Sequence, residues 1–94
     1  MTTVEQTAKA FIHGIKGHCH NATTDGTEYR LHGNLICTKY GEPGKYVLAF
    51  DWCGYYTTTT TNHMNNILRA ARANVRVSYT QARRNNITRF EVAV

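Results

Sequence analysis

A single α+β domain spanning residues 1–94, with an antiparallel sheet of about five or six strands and two helices on one face, is the architecture this sequence predicts. Three observations carry that prediction. Apolar residues recur at helical spacing in two places, from Val4 to Ile15 and from Met64 to Val75. Between and after them, β-branched and aromatic runs are punctuated by Gly, Asn, Asp and Pro, the pattern of strands joined by turns. The composition, 41% hydrophobic and 11% aromatic, excludes a disordered chain.

In chain order, Val4, Ala8, Phe11, Ile12 and Ile15 form one face of a helix that Thr2 or Thr3 caps, that Gly14 weakens and that Gly17 ends. Asn21 to Gly26 reads as a turn between two strands. Glu28 to Tyr40 reads as one long strand with a bulge or bend at Gly33-Asn34. Glu42-Pro43-Gly44-Lys45 is a type II turn signal that makes a hairpin with the next strand, Tyr46 to Cys53. Both faces of that strand are apolar, so it is expected in the interior of the sheet, with Asp51 either facing an edge or partnering an arginine.

The threonine run Thr57 to Thr61 disfavours a helix interior but caps well, so a helix is expected from about Thr60. Met64, Ile67, Leu68, Ala71 and Val75 form its packed stripe, while Asn65, Arg69 and Arg72 lie together on another side. The last segment predicts a hairpin about Asn85-Asn86, with Val77 opposite Val94, Tyr79 opposite Val92 and Gln81 opposite Phe90. That register places Arg76, Ser78, Thr80 and Arg89 on its other side and Arg83 and Arg84 at its tip.

Charge placement points to a partner. From Met1 to Thr61, five basic residues balance five acidic ones, whereas Asn62 to Val94 holds six arginines (Arg69, Arg72, Arg76, Arg83, Arg84 and Arg89) against Glu91 alone. Guanidinium suits bidentate contact with phosphate or carboxylate, so an Arg-rich C-terminal face is expected to bind nucleic acid or an acidic protein surface, or else to be a solvated face. Tyr40, Tyr55 and Tyr56 are candidates to stack on bases or to pack at a protein interface.

Other chemistry is sparse. Cys19, Cys37 and Cys53 are odd in number and irregularly spaced, which fits reduced thiols in a cytosolic protein. His18, His20, Cys37, Cys53 and His63 include zinc-binding residue types, yet no Cys-x-x-Cys or His-x-x-x-His spacing organises them, and no metal or other cofactor is assigned. No nucleophile elbow, phosphate loop or carboxylate pair marks an enzyme. No apolar run approaches the roughly 20 residues that cross a bilayer and the N-terminus lacks signal-peptide character, so no membrane partner is expected. An exposed strand edge leaves a homodimer open.

The order Tyr29-Arg30-Leu31-His32-Gly33-Asn34, then an apolar strand ending in Gly54-Tyr55-Tyr56, then a threonine-rich helix start leading to Met64-Asn65-Asn66-Ile67-Leu68, resembles a family of small, usually uncharacterised proteins of tailed bacteriophages. In that family a Gly-aromatic-Thr-x-Thr-Thr stretch opens a helix bearing an apolar-Asn-x-x-Leu segment. The likeness covers about Thr24 to Val77 and departs from the pattern in the unbroken threonine run and at Asn62-His63. It implies a phage accessory protein acting in the host bacterial cytoplasm, and it implies no reaction. Taken with the charge placement, the expected partner is nucleic acid or a host nucleoprotein complex, contacted through the six arginines with Asn65, Tyr55 and Tyr56; the alternative is a host protein inhibited through a protein interface.

Overall fold

The computed structural model describes residues 3–94. Its elements are α1 (Val4–Ile12), β1 (Gly17–Cys19), β2 (Ala22–Thr24), β3 (Glu28–Leu31), β4 (Asn34–Glu42), β5 (Lys45–Asp51), α2 (Thr58–Ala70), α3 (Tyr79–Arg84) and β6 (Arg89–Ala93). The strands form one sheet in sequence order, every neighbouring pair antiparallel. The α+β class and the six-stranded sheet follow the sequence expectation, with α3 an additional short helix.

Thr3 caps α1 in a capping box with Gln6, each side chain accepting from the other residue's amide. Thr2, the other candidate cap, lies outside the described residues. Gly14, rather than Gly17, ends the helix: its φ of +73° closes a Schellman turn in which Gly14 N donates to Phe11 O and Ile15 N to Ala10 O. Ile15 therefore leaves the apolar stripe and is exposed.

The expected turn over Asn21 to Gly26 is two turns with a strand between them. His20-Asn21 joins β1 to β2, and Asp25 to Thr27 joins β2 to β3. Ala22 and Thr24 point inward and are buried, which makes the stretch a strand despite its polar neighbours. The Asp25 carboxylate accepts from the amides of Thr27 and Glu28, and a Cβ on Gly26 would fall 2.5 Å from the Gly14 backbone, so glycine is required there.

The long strand expected over Glu28 to Tyr40 is likewise two strands. His32 and Gly33 both take positive φ (53° and 81°), a tight turn that pairs Leu31 with Asn34. The register irregularity sits beside it, opposite Tyr29 and Arg30. The Pro43-Gly44 turn forms as expected, with Gly44 at φ +87° and Glu42 opposite Lys45. β5 lies between β4 and β6, an interior strand as its apolar faces predicted.

The C-terminal hairpin does not form. Val77 is not opposite Val94, and Tyr79 to Arg84 is helix α3, built from Gln, Ala and Arg, which favour helix. Phe90 and Val92 pair instead with Phe50 and Leu48 of β5, and the Phe50 and Phe90 rings stack at 4.9 Å. On β5 those strand residues meet Leu48 and Phe50, and that pairing joins β6 to the six-stranded sheet. Arg83 and Arg84 consequently end a helix rather than tip a hairpin.

α1 and α2 cover the sheet face that carries Tyr29, Leu31, Cys37, Leu48 and Phe50, and Phe11, Met64, Ile67 and Leu68 complete the core. Lys39 points into the same face. Its ammonium donates to Phe11 O (2.6 Å) and Ile12 O (3.0 Å) and lies 4.6 Å from the Tyr46 ring centroid, so a strand residue satisfies the last carbonyls of α1. The sheet edges are β1 and β6.

Candidate nucleic-acid interface

The connection from Trp52 to Thr88, which crosses from β5 to β6, holds five arginines and no Asp or Glu. The rest of the chain has six basic residues (Lys9, Lys16, Arg30, Lys39, Lys45, Arg89) and six acidic ones (Glu5, Asp25, Glu28, Glu42, Asp51, Glu91), so the connection carries the entire net charge of +5.

Its fold explains where those arginines sit. Thr57 caps α2: its Oγ1 accepts from Thr60 N, and Thr61 Oγ1 donates back to Thr57 O, so the helix starts at Thr58 and the threonine run is absorbed into its first turn. Arg69 stands in the last turn, where a cation faces the negative end of the helix. Arg72 takes φ +60° and closes a Schellman turn, with Arg72 N donating to Arg69 O and Ala73 N to Leu68 O. Arg76 donates to Ala73 O and Val75 O and so ties the turn that follows. Arg83 and Arg84 occupy the last turn of α3, whose own closing turn has Asn86 at φ +55°.

All five are exposed, and among the described residues none has a carboxylate within salt-bridge distance. Arg89 differs. It lies on β6, its Nε donates to Asp51 Oδ2 at 3.0 Å, and it faces the uncovered side of the sheet away from the helices. The structure thus keeps Arg69, Arg72, Arg76, Arg83 and Arg84 on one connection and sets Arg89 apart.

The other expected contact residues separate in the same way. Asn65 is committed internally: its Nδ2 donates to Val77 O (3.1 Å) and its Oδ1 accepts from Val77 N (2.8 Å), a clamp that holds the segment leading into α3 against α2. Tyr56 stacks on Trp52 at 5.5 Å and donates to Ile87 O, which makes it a buttress. Tyr55 is 55% exposed but lies at the opposite end of α2 from Arg69. Tyr40 is exposed on the uncovered sheet face, so the three tyrosines do not make one platform.

His18, His20, Cys37 and Cys53 are not brought together; among the described residues no group of three or more His, Cys, Asp or Glu side chains is placed to hold a metal. Burial pushes the Cys37 thiol well above its ordinary value. Burial also raises that of Cys53, aided by Asp51, and its Sγ donates to Leu35 O at 3.3 Å. Neither is an activated nucleophile.

Sequence reasoning missed a buried polar pair. Tyr29 Oη lies 2.7 Å from His63 Nδ1 beneath α2, and burial, with smaller contributions from His32 and His20, pushes the His63 pKa down to about 4. Its signal was positional: His63 sits four residues before Ile67, on the packed stripe.

No protein-family model, curated protein or solved structure matches this chain. Among the described residues no helix is long and apolar enough to cross a membrane.

Proposed function

We propose that the chain is a phage accessory protein of the host cytoplasm that binds nucleic acid, or a host nucleoprotein complex, through the arginines of the β5–β6 connection. One observation carries this reading: a connection with five exposed arginines, no carboxylate and the whole net charge of the protein. Charge of this kind attracts phosphate backbones without reading sequence, so the binding is general and falls with salt.

Fluorescence anisotropy with labelled DNA and RNA at low and physiological salt tests it. Arg69→Ala with Arg72→Ala, and separately Arg83→Ala with Arg84→Ala, weaken binding across all sequences and lower the log–log salt slope by about one for each phosphate no longer engaged. Arg89→Ala leaves affinity unchanged, because that side chain is spent on Asp51. Unchanged binding in the Arg69/Arg72 double variant overturns the proposal. A lysate partner that survives nuclease and high salt points instead to inhibition of a host protein through an interface centred on exposed aromatics such as Tyr55.

A further inference from the structure

We propose that the outer edge of β6 pairs antiparallel with β6 of a second copy of this chain, in a register centred on Phe90, so that the two sheets join across a two-fold axis. This surface is separate from the arginines of the β5–β6 connection and does not rest on the nucleic-acid reading.

The two edges of the sheet differ. β1 has three residues and α1 packs against it; a Cβ on Gly17 would fall 3.1 Å from the Ala10 Cβ. β6 has five residues, runs in unbroken register with β5 and contains no glycine or proline. It therefore lacks the bulge, proline or shortness that usually blunts an edge. Trp52 N donates to Thr88 O and Val94 N to Tyr46 O, which fixes the phase of the ladder: Phe90 and Val92 turn their backbone groups toward β5, and Arg89, Glu91 and Ala93 turn theirs outward. Among the described residues those outward groups have no backbone partner, and all three residues are exposed.

Charge names the occupant. Arg89 and Glu91 are opposite in sign, two positions apart on the uncovered face, with Phe90 between them. A second β6 laid antiparallel about Phe90 sets its Glu91 opposite Arg89 and its Arg89 opposite Glu91. These residues carry the outward backbone groups, so each such pair also exchanges both of its main-chain hydrogen bonds. Shifting the centre to Glu91 would instead set two carboxylates face to face.

Both side chains have capacity for the contact. Asp51 engages only Nε of Arg89, whose side chain stays 81% exposed. Glu91 has no basic group within salt-bridge distance among the described residues. The second copy supplies one, and each Arg89 then lies between Asp51 of its own chain and Glu91 of the other. On the helix side the half-buried Phe90 rings meet at the axis, each backed by the Phe50 ring stacked at 4.9 Å. A strand of another protein could use the same hydrogen bonds, but a copy of this chain brings the matching order of charges by construction.

Sedimentation equilibrium of the nuclease-treated chain, at physiological ionic strength and over concentrations reaching the millimolar range, tests the pairing. The parent moves from the mass of one chain toward that of two. Glu91→Arg and Arg89→Glu each weaken the dimer by about tenfold or more, because like charges then oppose each other at both junctions. Circular dichroism of each variant matches the parent. An equimolar mixture of the two variants restores association, since arginine now meets glutamate at both junctions. Arg69→Ala with Arg72→Ala dimerises like the parent, which separates this edge from the nucleic-acid surface. A parent that stays monomeric throughout overturns the proposal and leaves the edge to a strand of a different protein. Single variants that dimerise as well as the parent, or a mixture that fails to restore association, overturn it too.

Discussion

The sheet frame, residues 3–51 and 89–94, and the connection between β5 and β6, residues 52–88, use charge in different ways. In the frame, Lys39 is held on the carbonyls of Phe11 and Ile12, Arg89 on Asp51, Arg30 on Glu28 and Lys9 on Glu5. In the connection the guanidinium groups meet no carboxylate among the described residues, and only Arg76 returns to the backbone. Charge contributes to folding where a side chain is fixed against buried polar groups; exposed and unpaired, it is left for a partner. Titration and substitution should therefore move stability in one set of positions and binding in the other.

The largest effect belongs to the buried exception within the connection, His63. Unfolded, its imidazole takes up a proton near pH 6.5; folded, it does so only near 4, because burial disfavours the charged ring. Between those values the unfolded chain binds more protons, so stability is fully present above 6.5 and falls with pH, by roughly 3 kcal/mol once pH reaches 4. Urea denaturation at about pH 7 and about pH 4.5 should show the loss, and His63→Gln should flatten the dependence. Asp25 does not blur the result: the Glu28 and Thr27 amides hold its carboxyl below 3.8, so its contribution is lost in a lower window. Equal stability at both pH values would mean that His63 is not buried in its neutral form.

Next in size is Lys39→Met, which keeps the apolar stem but strips two helix-end carbonyls of their donor. Loss of a charged hydrogen bond at a buried site is expected to cost about 2 kcal/mol, read from the urea midpoint. By contrast, Arg83→Ala should stay within about 0.5 kcal/mol of the parent. Comparable losses at the two positions would erase the distinction between frame and connection.

Legibility in the sequence follows the same division between local and distant causes. The Pro43-Gly44 turn and the stripes of α1 and α2 were readable because φ preference and 3.6-residue spacing act within a few residues, although Ile15 and Val75, expected on those stripes, fall past the helix ends and are exposed. Residues 76–94 were not. Val77 and Tyr79 match Val92 and Val94 in parity, and a hairpin satisfies that pattern locally. What decides against it is remote: Phe50 stacks on Phe90, Asp51 draws Arg89 to β5, and Asn65 clamps the Val77 backbone. The arginines were visible as a cluster from the start. That Arg89 leaves the cluster and Asn65 is spent internally depends on hydrogen bonds between residues 38 and 12 positions apart.

A smaller effect than those of His63 and Lys39 is the one that best separates folding from function. All three helices end in the same hydrogen-bonded turn, in which the residue after the C-cap adopts the left-handed conformation: Gly14 after α1, Asn86 after α3 and Arg72 after α2. Glycine takes that conformation without a Cβ penalty and asparagine tolerates it, whereas arginine is strained there by roughly 1 kcal/mol. Arg72→Gly relieves the strain and keeps both closing hydrogen bonds, so thermal stability should rise by up to about 1 kcal/mol. Under the nucleic-acid reading the same change takes away a guanidinium that engages phosphate, and affinity should fall while stability rises. A variant that is stabilised yet binds as well as the parent would show that Arg72 is not part of the surface. Opposite movement of the two quantities cannot come from partial unfolding, which lowers both, and so identifies a side chain kept at a strained position for what it touches outside the molecule.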